Sequence, residues 1–265
     1  VITPNERVTY KLWHEDDDLL VVGKPPNRVT QPGVGHEDDS LLNGLFVNYG
    51  ERLRNLGAPR DYGLVHRLDR ETSGVLVVAL SARAYDGLRA AFAGRKVRKF
   101  YWAVTNRAPS EHDGVIRFNI EELVERESRW TSRKLARVVR SGDAGKPALT
   151  AYRVLDQNPS AALIEARPVT GRLHQVRAHL SAIGATVLGD ELYGPRSAKA
   201  GSGRLALHAH RLAFDHPMTG EPIDVRTPYP ADLKALLRRA GLRRPDLAHE
   251  APGDAVGEEE TGIGQ

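Results

Sequence analysis

The chain contains no cysteine and only one methionine among 265 residues. Without thiols there can be no disulfide framework, cysteine nucleophile, thiolate zinc site or iron–sulfur cluster. Long apolar runs are missing too: none approaches the roughly 20 residues that a membrane-spanning helix needs. Val1 to Lys11 carries no apolar signal core. No segment repeats. A soluble, cytoplasmic chain without a membrane partner is the expectation.

What is present is ordinary in bulk and uneven in detail. Apolar residues make up 40% and charged residues 27%, enough for a real core and too balanced for wholesale disorder. The formal net charge is +4. Ala251 to Gln265 carries Asp254 and Glu258 to Glu260 and no Lys or Arg, so the rest of the chain holds +8. Residues 246–265 are expected to form a disordered acidic tail behind one folded unit, residues 1–245. Two cationic runs stand out, Arg95, Lys96, Arg98 and Lys99, then Arg129, Arg133, Lys134, Arg137 and Arg140. A basic excess gathered in runs favours contact with a phosphate backbone.

Patterning predicts strands over Val8–His14, Leu19–Gly23, Val75–Leu80 and Val97–Val104. It also predicts paired strands over Thr150–Leu155 and Ala161–Ala166, and a late hairpin over Leu205–Phe214 and Pro222–Arg226. Ser40 and Ser81 are placed to cap helices. A helix is expected to open at Thr170 or Gly171, and a last one runs from about Asp232 to Arg239. Glu121 to Arg140 reads as an exposed hairpin. Without regular βαβ alternation, an α+β fold with a mixed, largely antiparallel sheet and peripheral helices fits best.

Three places carry candidate chemistry. Asp69 stands between Arg67 and Arg70, and flanking cations keep a carboxylate available as nucleophile or base. In Lys99-Phe100-Tyr101-Trp102-Ala103, strand alternation puts Lys99 and Tyr101 on one face and Phe100 and Trp102 on the other. Thr170 to Leu180 gathers Arg172, His174, Arg177 and His179, too polar for a plain core helix. Its histidines lie five residues apart with no Glu between them, a poor arrangement for a metal.

Taken together, these blocks resemble the RluA-type RNA pseudouridine synthases. His66 to Gly74 is similar to the family's HRLDxxTSG motif, Lys99 to Ala103 to KxYxA, and Thr170 to Leu180 to TGRxHQxRxHL. Leu188 to Gly194 resembles LGDxLYG, and Leu207-His208-Ala209 with His216-Pro217 resembles a closing LHA…HP block. Asp69 and Tyr101 are 32 residues apart, as is typical of the family. The resemblance runs from about Leu19 to Tyr229 and implies the pseudouridine synthase catalytic fold. It implies that uridine in structured RNA is isomerised to its C5-glycoside, with ribosomal RNA the preferred substrate and transfer RNA second. No cofactor and no metal are implied, and the chain is taken as a monomer.

The resemblance assigns roles residue by residue. Asp69 is the essential carboxylate, attacking the base, attacking the sugar, or acting as a base at the ribose. Tyr101 stacks on the uracil and helps remove the C5 proton, and Arg177 pairs with Asp69. Arg67 enters the RNA helix when the uridine flips out of it. His66, Arg70, Lys99, Arg172 and His174 are assigned to RNA binding and positioning. Two departures bear on substrate fit. The family's KPxG appears as Lys24-Pro25-Pro26-Asn27, and Leu173 stands where threonine is usual. Many members carry an S4-like domain first; about a dozen residues precede the pattern here, so none is expected in this chain. Two other readings compete. A non-catalytic RNA-binding protein would be favoured by loss of Asp69, Tyr101 or Arg177. A carboxylate-based hydrolase would need an oxyanion hole and a second acid/base carboxylate, which no motif supplies.

Overall fold

A computed structural model describes residues 2–126, 132–140, 144–194 and 203–243. The expected acidic tail and Arg129 lie outside the described residues, as does the side chain of Arg133.

Strands β1 (Lys11–Glu15) and β2 (Leu19–Lys24) pair antiparallel, the first starting at Lys11 rather than Val8. Asp16 shapes their turn: its Oδ1 accepts from the backbone N–H groups of Asp18 (2.7 Å) and Leu19 (2.9 Å). Helix α1 (Leu41–Leu56) opens on the predicted cap. The Ser40 hydroxyl accepts from the Asn43 N–H, and the Asn43 side chain accepts from the Ser40 N–H, a reciprocal box that satisfies two otherwise orphaned donors. A 3-10 turn, Ala58–Gly63, leads to β3 (Ser73–Ala79), which is buried throughout. Burial on both faces is why this strand reads as one apolar run. Ser81 caps α2 (Ala82–Ala93) through the Ala84 N–H, as predicted.

The remaining strands are β4 (Arg98–Thr105), β5 (Asp113–Ile116), β6 (Asn119–Arg126), β7 (Ser132–Val139), β8 (Thr150–Asn158), β9 (Ala161–Pro168), β10 (Leu207–Asp215) and β11 (Pro222–Arg226). Helices α3 (Gln175–Ala182) and α4 (Ala231–Arg239) complete the described elements. The main sheet runs β1-β2-β3-β10-β4-β9-β8-β5, with β11 beside β10. All its neighbours are antiparallel except β3 and β10. Strands β6 and β7 form a separate hairpin where the charge-dense segment predicts one. The fold is thus the α+β type expected, with a mixed, mostly antiparallel sheet.

One core joins α1 to β2 and β3 through Leu20, Leu45 and Leu76. Another joins β4, β9, α3 and α4 through Trp102, Leu163, Leu180 and Leu233. Fully burying each such side chain contributes about 1.5–3 kcal/mol. The two halves meet at β10, whose parallel contact with β3 spans only His208↔Ser73 and Ala209↔Gly74. Gly74 has φ +131°, and a Cβ there would lie 2.2 Å from the Ala209 carbonyl oxygen. Only glycine supplies both the backbone angle and the clearance.

Behind this junction the histidines are buried, and burial keeps His208 neutral. His208 Nδ1 lies 2.8 Å from Ser73 Oγ and Nε2 3.0 Å from Thr227 Oγ1. Thr227 gives its own proton to the His210 carbonyl, so His208 donates from Nε2 and accepts at Nδ1 from Ser73. The Trp102 ring stacks on His210 at 3.9 Å and 3°. Burial pushes His208 down to about 3, with the His210 and Arg204 charges adding to it. Burial also pushes His179 down to about 4, although its bond to the Phe118 carbonyl opposes this.

Replacing Gly74 by alanine is expected to cost about 3 kcal/mol or more, strain and overpacking combined, read as a lowered urea midpoint. An unchanged midpoint would show that β3 can move off β10 without cost. The histidines set a pH dependence. Unfolded, each titrates near 6.5; folded, near 3 or 4. Below pH 6.5 the unfolded chain therefore binds more protons, and stability falls as pH falls. Between pH 7.5 and 5.5 His179 and His208 together should remove about 3 kcal/mol. Urea titrations at the two pH values check this, and a flat profile would refute it.

Candidate active site

Asp69 is placed by a loop laid along the edge of β3 that β2 does not use. Leu64 bridges to Val78. His66 Nε2 accepts from the Val77 N–H at 3.0 Å, and its ring leans on Phe92. Burial, with the Lys99 charge, pushes His66 down to about 3, so it acts here as a neutral acceptor. Thr30 Oγ1 donates to the Leu68 carbonyl at 3.0 Å and accepts from the Leu68 N–H. The Arg70 carbonyl accepts from the Arg28 N–H and from Lys24 Nζ, each about 3 Å away. The Thr72 N–H closes a turn on the Asp69 carbonyl. Asp69 thus sits in backbone tied down on both sides.

Lys24, the lysine of the altered KPxG segment, is buried beneath this loop, its ammonium also donating to the Pro25 and Arg28 carbonyls. Burial pushes it down to about 7, against the pull of Asp69 and Glu71. The sequence marks Lys24 only through its altered KPxG segment, without a role, and does not mark Thr30 at all.

Tyr101 comes from β4. Its partners across the ladder are Ala209 on β10 and Ala166 on β9, and these small neighbours leave its ring face open. Phe100 and Trp102 point to the opposite side, against Arg211 and His210, as alternation predicts. Burial raises the Tyr101 hydroxyl, and the Asp69 charge raises it further, so the phenol keeps its proton at neutral pH. Lys99, on the same face, donates to the Thr170 carbonyl at 3.4 Å, and burial lowers it to about 8.

Arg177 arrives on α3, which begins later than predicted. The helix starts at Gln175, and His174 before it adopts a left-handed conformation (φ 47°). The Gln175 side chain explains the delay: its Oε1 accepts from Thr170 Oγ1 and the Arg172 N–H, holding residues 170–174 as a loop. The principal partner of Arg177 is Asp190, in two parallel bonds of 2.8 and 2.9 Å. Asp69 lies farther off, 3.6 Å from Arg177 Nη1, with Glu71 at 3.8 Å. Burial works against the Arg177 charge, but Asp190 outweighs it and the guanidinium is held above its ordinary value. Burial likewise opposes Asp190, and its Arg177 and backbone bonds hold it below the usual carboxylate range. The sequence points to the Leu188–Gly194 block without giving Asp190 a role. Its carboxylate is 13 residues from Arg177, beyond the reach of any helical spacing.

Asp69, Lys99, Tyr101 and Arg177 open into one cleft of about 940 Å³. Arg67, Arg89, Arg95, Lys99, Lys134 and Arg172 line it, with Asp61 and Glu122 the outer acids. The first cationic run and the β6–β7 hairpin therefore both contribute to its wall. Exposed Arg67 has no hydrogen bond or ion pair among the described residues, whereas Arg172 Nε donates to the Pro147 carbonyl. His174 Nδ1 contacts the Tyr193 hydroxyl at 2.9 Å, and burial lowers its basicity against the opposing pull of Asp69. Arg70 does not join the cleft; its side chain turns to His36 and Glu71. No metal-ligand cluster occurs among the described residues, and none of the described helices is long and apolar enough to cross a membrane.

Comparison with known proteins gives this constellation a setting. The sequence profile of the family described as RNA pseudouridylate synthase matches residues 18–182. The ribosomal large subunit pseudouridine synthase D of Zymomonas mobilis is 38% identical over 239 residues, 87% of this chain and 73% of that protein. The synthase of the same name from Haemophilus ducreyi is 34% identical, over 88% of this chain and 71% of its own. The solved structure of human RNA Pseudouridylate Synthase Domain Containing 4 superposes with a TM-score of 0.69 at 27% identity, covering 89% of this chain and 94% of that one. With the motifs of residues 66–74, 99–103 and 170–180 meeting in one cleft, the chain belongs to the RluA-type RNA pseudouridine synthases, isomerases that act on uridine in RNA.

Proposed function

We propose that this chain isomerises specific uridines of structured RNA, ribosomal RNA first, with Asp69 as its essential carboxylate and Tyr101 and Arg177 beside it. The convergence of Asp69, Tyr101 and Arg177, from a loop, a strand and a helix far apart in sequence, carries the reading. The names of the bacterial relatives point to the ribosomal large subunit. The basic lining suits a phosphate backbone, and RNA of this kind is read through its shape and splayed bases.

The reaction breaks the N1–C1′ bond, turns the base and joins C5 to C1′; C5 loses its proton and N1 gains one, so nothing is gained or lost overall. A base held in a helical stack is out of reach of a carboxylate at the bottom of a cleft, so the uridine flips out. Arg67, exposed at the cleft wall, is the cation placed to take the vacated position. Asp69, one-fifth exposed against a guanidinium only 3% exposed, serves the glycosidic cleavage. Tyr101 offers its ring to the uracil. Because its phenol stays protonated, it can take the C5 proton only as its own moves on, and Asp69 is the acid–base group whose charge it feels.

Asp69→Asn should bind RNA as the wild type does and form no pseudouridine. The check is nucleoside mass spectrometry after incubation with ribosomal and transfer RNA, beside a filter-binding assay. Substantial turnover by this isosteric variant would sink the role given to the carboxylate. Intact binding with no turnover by the wild type would favour an RNA-remodelling protein instead. Tyr101→Phe keeps the ring and removes the proton path. Its single-turnover rate should fall by about 10²–10⁴-fold, the usual worth of positioned acid–base catalysis, with RNA affinity unchanged. Weaker binding at an unchanged rate would contradict it.

A further inference from the structure

Tyr193 joins the β6–β7 hairpin to the start of α3 through one hydroxyl. Its backbone is fixed twice: the N–H donates to Asp190 Oδ1 at 3.1 Å, and the carbonyl accepts from Ser181 Oγ of α3, also at 3.1 Å. The ring lies against the Arg177 guanidinium, 5.4 Å from its carbon. The hydroxyl accepts from the Ala136 N–H of β7 at 2.8 Å and lies 2.9 Å from His174 Nδ1. A phenol has one proton to give. Burial raises Tyr193 to about 12, so the proton stays on at neutral pH. Among the described residues its only acceptor is His174 Nδ1. Tyr193 therefore accepts from the hairpin and donates to the histidine. That sets the tautomer: with Nδ1 accepting, the ring proton of His174 sits on Nε2. His174 lines the cleft, and its Nε2 is neither hydrogen-bonded nor closed off by the described residues.

We propose that Tyr193 is a positioning residue that fixes His174 as an Nε2–H donor for an uncharged oxygen of the flipped uridine, a carbonyl of the base or the ribose 2′-hydroxyl. This inference rests on the reading of Asp69 as the carboxylate that acts on that uridine. Charge decides against a phosphate. His174 feels Asp69, Glu71 and Asp190 as well as Arg177, three carboxylates to one guanidinium. Burial lowers the basicity of the imidazole, so it brings no charge of its own at neutral pH. An anion there would meet net repulsion and gain one hydrogen bond from a neutral donor. A carbonyl or hydroxyl oxygen gains the bond without the repulsion. The hairpin that supplies the Ala136 N–H packs with Ala178 of α3 at its base, and its Lys134 lines the cleft. The element that lends the wall a cation thus also orients the histidine that senses Asp69.

The test is a double-mutant cycle in the full chain, assayed for pseudouridine on RNA. Tyr193→Phe keeps the ring on Arg177 and removes only the hydroxyl. It should lower kcat/KM about 10-fold, the worth of one well-placed hydrogen bond. His174→Ala should lower it at least as far. Adding Tyr193→Phe to His174→Ala should then cost no more than about twofold further, because the hydroxyl acts through the histidine. A Tyr193→Phe loss that persists undiminished without His174 overturns the proposal, and so does a Tyr193→Phe chain as active as the wild type. Should a variant fail to fold, nitrogen NMR of the wild-type chain answers: His174 should carry its proton on Nε2, and a proton on Nδ1 overturns the assignment. The acceptor is named with RNA oligonucleotides that span the uridine mapped with the wild type and carry 2-thiouridine, 4-thiouridine or 2′-deoxyuridine in its place. The His174→Ala loss should shrink on one of them, and an equal loss on all overturns the contact with the nucleoside. Asp69→Asn, run in parallel, separates the two readings. An active Asp69→Asn removes the assignment of Asp69 itself. An inactive Asp69→Asn beside a fully active Tyr193→Phe leaves that assignment standing and removes only the role of Tyr193.

Discussion

The fold hangs on the contact between Gly74 and Ala209. Among the described residues it is the one parallel step in the sheet, and it is only two residue pairs long. Beside it, Leu212 and Phe214 of β10 pack on Val75 and Val77 of β3, so the two sides of the sheet are joined around this step. Asp69 stands five residues before Gly74, and Tyr101 lies directly across from Ala209. The spacing between carboxylate and phenol is therefore set by how closely β3 can approach β10. A side chain at position 74 would separate the strands, and with them Asp69 from Tyr101. Ser73 and His208, bonded on the buried side of the same contact, fix the register from behind.

The Asp69 loop illustrates a second constraint. A strand edge that no neighbour pairs must have its donors satisfied by something else. Here the loop that precedes β3 folds back to do it, through the Leu64 bridge and the His66 ring. Covering the edge and presenting the carboxylate are thus one act of folding. That is a physical reason for a histidine three residues before Asp69: it is held neutral and spent on the backbone, while the exposed arginine after it is left facing the cleft.

Much of this was readable from the residues. Ser40 and Ser81 cap where a hydroxyl before an apolar helical pattern should, and the alternation at 99–102 sorts cleft from core correctly. The start of α3 was not readable, because a glutamine at 175 outcompetes Thr170 for the local donors, and side-chain competition of that kind leaves no periodic trace. The candidate cleft was readable where the motif is contiguous, at Asp69, and where one face of a strand carries it, at Tyr101: both line it. The bidentate carboxylate of Asp190 was not, and neither was the lysine beneath the loop. Both lie in blocks that the sequence singles out, but each acts across a long sequence separation through backbone and buried charge, so the local pattern marks the residue without showing its partner. Arg70 shows the converse: proximity in sequence to Asp69 does not put its side chain in the cleft.

The charges of the cleft are sorted by depth. Asp69 in the lining, with Glu71 and Asp190 outside it, surrounds one guanidinium, and burial pushes the nearby lysine down to about 7. The wall above carries the arginines and lysines. Such a profile attracts a polyanion and then refuses to let its anionic part sink. A phosphate gains by resting on the wall and loses by descending, while an uncharged ring suffers no such repulsion. The field itself thus tells the two ends of a nucleotide apart, before any hydrogen bond has read the base.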